Sequence, residues 1–235
     1  MMQVKQILSE LHKLADPEKV SYKEKKFGVI SHNALGIYHQ DLKLLAKTIP
    51  KDAKLAEQLF DSGIYEARLL CSKIFPLAEL SEDLMEKWVV TFENWEICDS
   101  FCMGLFAKSE FAIAKIFTWC EREAEFEKRS AFATIASYCM ADKHAANKVF
   151  QKFFPLIKQA CMDERLYVKK AVNWALRSIG KRNPDLREKA ILCSKQILQK
   201  DSKSDQWIAS NALKELENPK LRLSNYPRNV YQPFQ

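Results

Sequence analysis

Glycine is scarce in this 235-residue chain, with five residues against a usual share of roughly 7%. That scarcity excludes architectures built on glycine turns or phosphate-cradling loops, and no G-x-G-x-x-G, Walker A or G-x-S-x-G pattern occurs. Hairpin signals and strand-like alternation are missing as well, which removes a sheet-based reading. No run of 18 apolar residues is present to cross a bilayer. The opening MMQVKQILSELHKL is charged throughout and lacks the uninterrupted apolar stretch of a secretory signal. The seven cysteines form no C-x-x-C pair, and His12, His32, His39 and His144 stand at no ligand spacing from them. No metal and no cofactor are therefore expected. An odd number of thiols scattered through apolar stretches points to reduced, packed cysteines and a cytoplasmic location.

What is present is helix. Apolar residues recur at helical spacing in 80–92, 111–123, 128–140, 167–179 and 185–198, each stretch bounded by Pro, Gly, Asp, Ser or Asn. Five segments resemble one another: YEARLLCSKI from Tyr65, WEICDSFCMG from Trp95, FEKRSAFATI from Phe126, YVKKAVNWAL from Tyr167 and WIASNALKEL from Trp207. Their leading aromatics are 30, 31, 41 and 40 residues apart, and three of the five carry a basic residue three positions later (Arg68, Arg129, Lys170). Such a period fits one helix pair per repeat, as in HEAT and armadillo arrays; an irregular helical bundle is the alternative. The expectation is an all-α, right-handed superhelical solenoid forming one HEAT-like-repeat domain over 1–235. Residues 223–235 are expected to be an irregular tail.

The charge is unevenly placed. Residues 143–235 hold 19 Lys and Arg against eight Asp and Glu, a net of +11, whereas residues 1–142 are net −4. A basic concave face on such a fold would suit a phosphate backbone; ordinary solvated helix faces are the alternative. In the helix from Tyr167, the residues Lys170, Trp174, Arg177 and Lys181 fall on the arc opposite the apolar one. An aromatic framed by three cations fits DNA contact, although Trp174 could also fill a gap between repeats. In the helix from Trp95, the residues Ile97, Cys98, Phe101 and Leu105 make the apolar arc, and Trp95 and Asp99 lie off it as i, i+4 neighbours. Spacing alone leaves that pair either functional or an ordinary feature of a repeat boundary.

Taken in order, NALGI (33–37), SGIYEARLL (62–70), WEICD (95–99), Arg129 of EKRSAF and VKKAVNWALRSIGKRNP (168–184) make the chain resemble the AlkD family of DNA alkylation-repair proteins, the HEAT-like-repeat DNA glycosylases. The resemblance spans most of residues 20–215. It implies hydrolysis of the N-glycosidic bond of cationic N3- and N7-alkylated purines, such as 3-methyladenine and 7-methylguanine, in double-stranded DNA. It makes Asp99 the catalytic carboxylate, Trp95 and Trp174 aromatic walls, and Arg129 the basic residue at the DNA backbone. Lys170, Arg177 and Lys181, with Lys169 and Arg182 of the same segment, are the expected DNA-binding set. Phe27 stands where the family pattern has a tyrosine, and the register also admits Tyr22; the missing hydroxyl bears on lesion geometry and on the level of activity.

The chemistry is coherent. A cationic purine leaves without a general acid, so a carboxylate need only stabilise the developing sugar cation and help position water. The expected enzyme is a monofunctional glycosylase acting as a monomer: none of the 37 basic residues stands out as a lyase nucleophile. Cys98 and Cys102 lack an activating histidine and read as packing. The alternatives are a non-catalytic protein that recognises distorted or branched DNA, and a protein-interaction scaffold.

Overall fold

The computed structural model describes residues 3–232. Among them every regular element is helical, and no helix is long and apolar enough to cross a membrane. The chain divides into two compact units, Met1–Ser109 and Glu110–Gln235.

The first unit contains α1 (Val4–Lys13), α2 (Pro17–Phe27), α3 (His39–Ala46), α4 (Ala53–Asp61), α5 (Tyr65–Ile74), α6 (Glu82–Val89) and α7 (Trp95–Gly104). Helix α5 is its centre, packed against α3, α4 and α7. Beside it Phe60, Phe75, Trp88, Phe92, Phe101 and Phe106 form a continuous aromatic cluster, with ring centroids 5.1–6.1 Å apart. Burying each such ring contributes about 1.5–3 kcal/mol. Gly104 is required by this packing, because a Cβ there would lie 2.7 Å from the Ser72 carbonyl oxygen of α5.

The second unit contains α8 (Ala112–Trp119), α9 (Glu125–Ala141), α10 (Asn147–Gln151), α11 (Phe153–Ala160), α12 (Leu166–Gly180), α13 (Pro184–Leu198), α14 (Lys203–Leu216) and α15 (Arg228–Tyr231). Helix α12 is its hub and packs against α9, α11, α13 and α14. All seven cysteines of the chain are buried.

Four of the five look-alike segments begin at or one residue inside a helix start: α5, α7, α9 and α12. The basic residue three positions after the aromatic has a structural use in two of them. Arg68 Nη1 donates to Glu93 at 2.6 Å and Nη2 to the Thr91 carbonyl at 2.9 Å, just ahead of α7. Arg129 Nη1 donates to the Tyr167 carbonyl at 2.7 Å, at the start of α12. Each arginine thus braces its helix to the chain entering a later repeat.

The tail departs from the expected irregular extension over its described part. Backbone hydrogen bonds tie Ser224 to Lys181 and Tyr226 to Arg182, and α15 follows. Tyr226 is buried, and the Tyr231 hydroxyl meets both Asn147 and Asp185. Aromatic side chains in a prolyl segment thereby cover polar groups at the start of α13. Residues 233–235 of the expected tail lie outside the described residues.

Candidate active site

Helix α7 is fixed by its first turn. Asn94 caps it, its Oδ1 accepting from the backbone N–H of Glu96 at 2.9 Å and Ile97 at 3.2 Å, while its Nδ2 donates to the Ile30 carbonyl. Glu96 accepts from Lys23 of α2 at 2.6 Å and from the Tyr65 hydroxyl of α5 at 2.9 Å. Trp95 Nε1 donates to the Phe27 carbonyl at 2.9 Å, so the two aromatic positions expected near the lesion are joined. Phe27 itself is 47% exposed and packs edge-on against Tyr22, with ring centroids 5.7 Å apart. Both readings of the aromatic register therefore sit on one surface.

The loop that carries α3 is held just as firmly. The Glu66 carboxylate, fully buried in α5, accepts from the backbone N–H groups of Leu35, Gly36 and Ile37 at 2.7, 2.8 and 3.2 Å. Gly36 has φ +82°, and a Cβ on it would fall 2.1 Å from the Asp16 carbonyl oxygen, so only glycine fits. NALGI and SGIYEARLL thus dock on each other, which explains these two motif segments structurally.

The apolar arc of α7 is buried as expected, with Ile97, Cys98 and Phe101 fully enclosed, and Trp95 and Asp99 lie off it, part-exposed. Both line an open cavity of about 600 Å³ within the first unit. Its walls also carry Lys43, Lys51, Lys73 and Lys108, together with His39, Glu96 and Met103. Sequence reasoning missed this lysine cluster. The net −4 of residues 1–142 hides these four lysines, which come from two α-helices (Lys43, Lys73), a 3-10 turn (Lys108) and a loop (Lys51).

Lys73 is the least ordinary of them. Its Nζ lies 3.4 Å from Ser100 Oγ and 3.5 Å from His39 Nε2, and no carboxylate lies within ion-pair distance of it among the described residues. Burial, reinforced by the charge of Lys43 and opposed by Glu96, lowers the amine to about 8. The His39 ring is shifted down as well, by desolvation and then by the charges of Lys73 and Lys43. It is therefore a neutral base at physiological pH. Among the described residues no group of three or more His, Cys, Asp and Glu could hold a metal ion.

The second unit holds the remaining expected residues. Trp174 is part-exposed on α12 and Lys170 exposed beside it. Arg177 and Lys181, expected to be open to DNA, both pair with Glu215 of α14, Lys181 at 2.8 Å. Partial burial raises the Glu215 carboxyl, but the hydrogen bonds from Lys181 and Arg177 outweigh it and hold it below the usual range. Lys169 is part-buried, with Nζ 5.8 Å above the ring of Trp207, itself 41% exposed. Arg129 is 5% exposed, enclosed where it braces Tyr167. Arg182 is a correction: expected to bind DNA, it is 1% exposed, donating to the carbonyls of Cys139 and Ala145 and stacked 4.1 Å over Phe150. Asn183 beside it caps α13 and holds the Tyr226 carbonyl at 2.6 Å. The RNP of that motif fastens α10, α13 and the tail.

Comparison with known proteins agrees with this architecture. A solved structure from a new family of proteins related to the HEAT-like repeat DNA glycosylases, with affinity for branched DNA structures, matches with a TM-score of 0.75 and 19% identity, covering 94% of this chain and 97% of that one. AlkD2 from Streptococcus mutans matches with a TM-score of 0.58 and 20% identity, covering 84% of this chain and 97% of that one. These likenesses show the fold, an all-α array of HEAT-like repeats. No curated protein sequence matches. The model of the DNA alkylation repair enzyme family matches residues 7–216. The chain belongs to the DNA alkylation repair enzyme family.

Proposed function

We propose that this protein is a DNA glycosylase that releases cationic N3- and N7-alkylated purines from double-stranded DNA. The observation that carries this reading is that Asp99 and Trp95 line one open cavity whose walls also carry four lysines. Lys43, Lys51 and Lys108 are exposed, and their charge suits the phosphates flanking a lesion. The carboxylate of Asp99 then faces the deoxyribose, where positive charge grows as the glycosidic bond breaks, and it accepts a proton from the attacking water. The face of Trp95 favours a purine that is already cationic, by about 0.5–2 kcal/mol. Its ring is held in place through the Phe27 carbonyl, so orientation does not depend on a hydroxyl at position 27.

The test is release of 7-methylguanine from methylated duplex DNA. Asp99→Asn should lower the rate at least about a hundredfold while anisotropy shows duplex binding preserved. Equal release by wild type and Asp99→Asn would remove Asp99 from the chemistry.

A second reading has a specific basis, because the relative matching over 94% of this chain belongs to a family with affinity for branched DNA structures. On that reading the protein binds four-way or flapped DNA and excises nothing. Tighter binding to a four-way junction than to duplex, with no base release, would favour it.

A further inference from the structure

We propose that Lys73 gives this protein a second activity: cleavage of the DNA strand at abasic sites, through a Schiff base between its Nζ and C1′ of the ring-opened deoxyribose. The inference rests on the reading of the Asp99 cavity as the seat of a damaged nucleotide. An abasic sugar is what remains there once a base has gone.

The geometry supplies each part. Lys73 lines the same cavity as Asp99 and Trp95, and its Nζ meets Ser100, the residue that follows Asp99 on α7. Its two polar neighbours, a hydroxyl at 3.4 Å and a ring nitrogen at 3.5 Å, are long and uncharged contacts that leave the amine unclamped. Every other lysine of the cavity is exposed and solvated. Lys73 is part-buried, and with its amine lowered to about 8 a useful fraction is neutral near physiological pH.

The step balances without an oxidant or a reductant. The neutral Nζ adds to the C1′ aldehyde, and loss of one water gives the protonated Schiff base. His39 Nε2, on the wall of the same cavity, accepts a proton from C2′. The electron pair of that C–H bond forms the C2′=C3′ double bond, and the C3′–O bond breaks with its pair going to the phosphate oxygen. The downstream strand leaves with a 5′-phosphate. Water then hydrolyses the imine, freeing Lys73 and an unsaturated aldehyde on the upstream strand.

The experiment uses full-length protein and a duplex with one preformed abasic site, made by excising a single uracil, in sodium cyanoborohydride. Wild type should form a covalent protein–DNA adduct on a denaturing gel. Lys73→Arg and Lys73→Gln should lower its yield at least about tenfold, whereas Lys195→Gln, on the exposed surface of α13, should not. Peptide mapping of the reduced wild-type adduct should find the sugar on Lys73, a readout that does not depend on the variants folding. No adduct, or an adduct on another lysine, overturns the proposal. Because the abasic site is preformed, 7-methylguanine release is scored separately. Adduct without release upholds Lys73 and rejects the glycosylase reading; release without adduct does the reverse.

Discussion

At the residue scale, the cavity places a lysine where it costs stability. Lys73 is lowered from 10.5 to about 8 by burial and by Lys43, so the folded state binds its proton less tightly than the unfolded chain does. The sign follows from linkage. Below about pH 8 both states carry the proton and the folded state bears the full penalty; between about 8 and 10.5 the unfolded state alone holds it, and stability rises with pH; above that range the penalty is gone. Lys73→Met should therefore stabilise the protein at pH 7 by roughly 2–3 kcal/mol at most, seen as a raised denaturation midpoint. That gain should shrink as the pH is raised from 8 towards 10.5. A constant gain, or none at pH 7, would mean that the amine is not destabilised by its surroundings. A residue kept at such a cost fits a chemical role better than a packing one, because an apolar side chain would serve the fold better.

At the element scale, the motif residues divide into those that build and those that face outward, and the sequence exposes only part of that division. The helices were legible because their apolar arcs keep helical period: Ile97, Cys98 and Phe101 are buried and Asp99 is not, as the wheel requires. The same wheel sets Trp95 and Asp99 off the apolar arc, but spacing does not separate a functional pair from an ordinary one, and the role proposed for them rests on the resemblance. Lys73 was not, since it lies on α5 and its neighbours Ser100 and His39 lie on α7 and α3, a meeting that only tertiary packing makes. Arg182 was misread because a cation in a basic stretch looks solvated. Its burial depends on two carbonyls and a ring from residues 139–150. Glu66 shows how much such buried charges hold. It fastens three backbone N–H groups of the loop leading to α3, and Glu66→Gln would turn a donor towards one of them. A loss of roughly 2–4 kcal/mol in denaturant unfolding is expected. His39 would also be freed to move, so strand cleavage at a preformed abasic site should fall even where the variant remains folded.

At the scale of the whole molecule, the net charge of +7 predicts less about DNA affinity than the pairing of its members does. Of the expected DNA-binding cations of the C-terminal part, Arg182 is interior, and Arg177 and Lys181 share Glu215. Lys170 is left exposed, and Lys169 stands over Trp207. A cation held by a carboxylate releases fewer counterions on meeting a phosphate, so the salt dependence of binding counts available charges rather than all of them. Glu215 is thus a brake on that face of α12, and two opposite substitutions read it. Lys170→Glu should weaken duplex binding and reduce the slope of log affinity against log salt by about 1–2. Glu215→Gln should free Arg177 and Lys181, tightening binding at low salt and steepening the slope by about 1–2. Anisotropy titrations from 50 to 200 mM salt, taken as about a thousandfold range for a strongly charged interface, resolve both changes. If Glu215→Gln leaves the slope unaltered while Lys170→Glu lowers it, DNA crosses α12 at its first turns and does not reach Arg177. If neither moves it, the phosphates are met by the lysines around Asp99, and the basic surplus of the second unit serves another purpose.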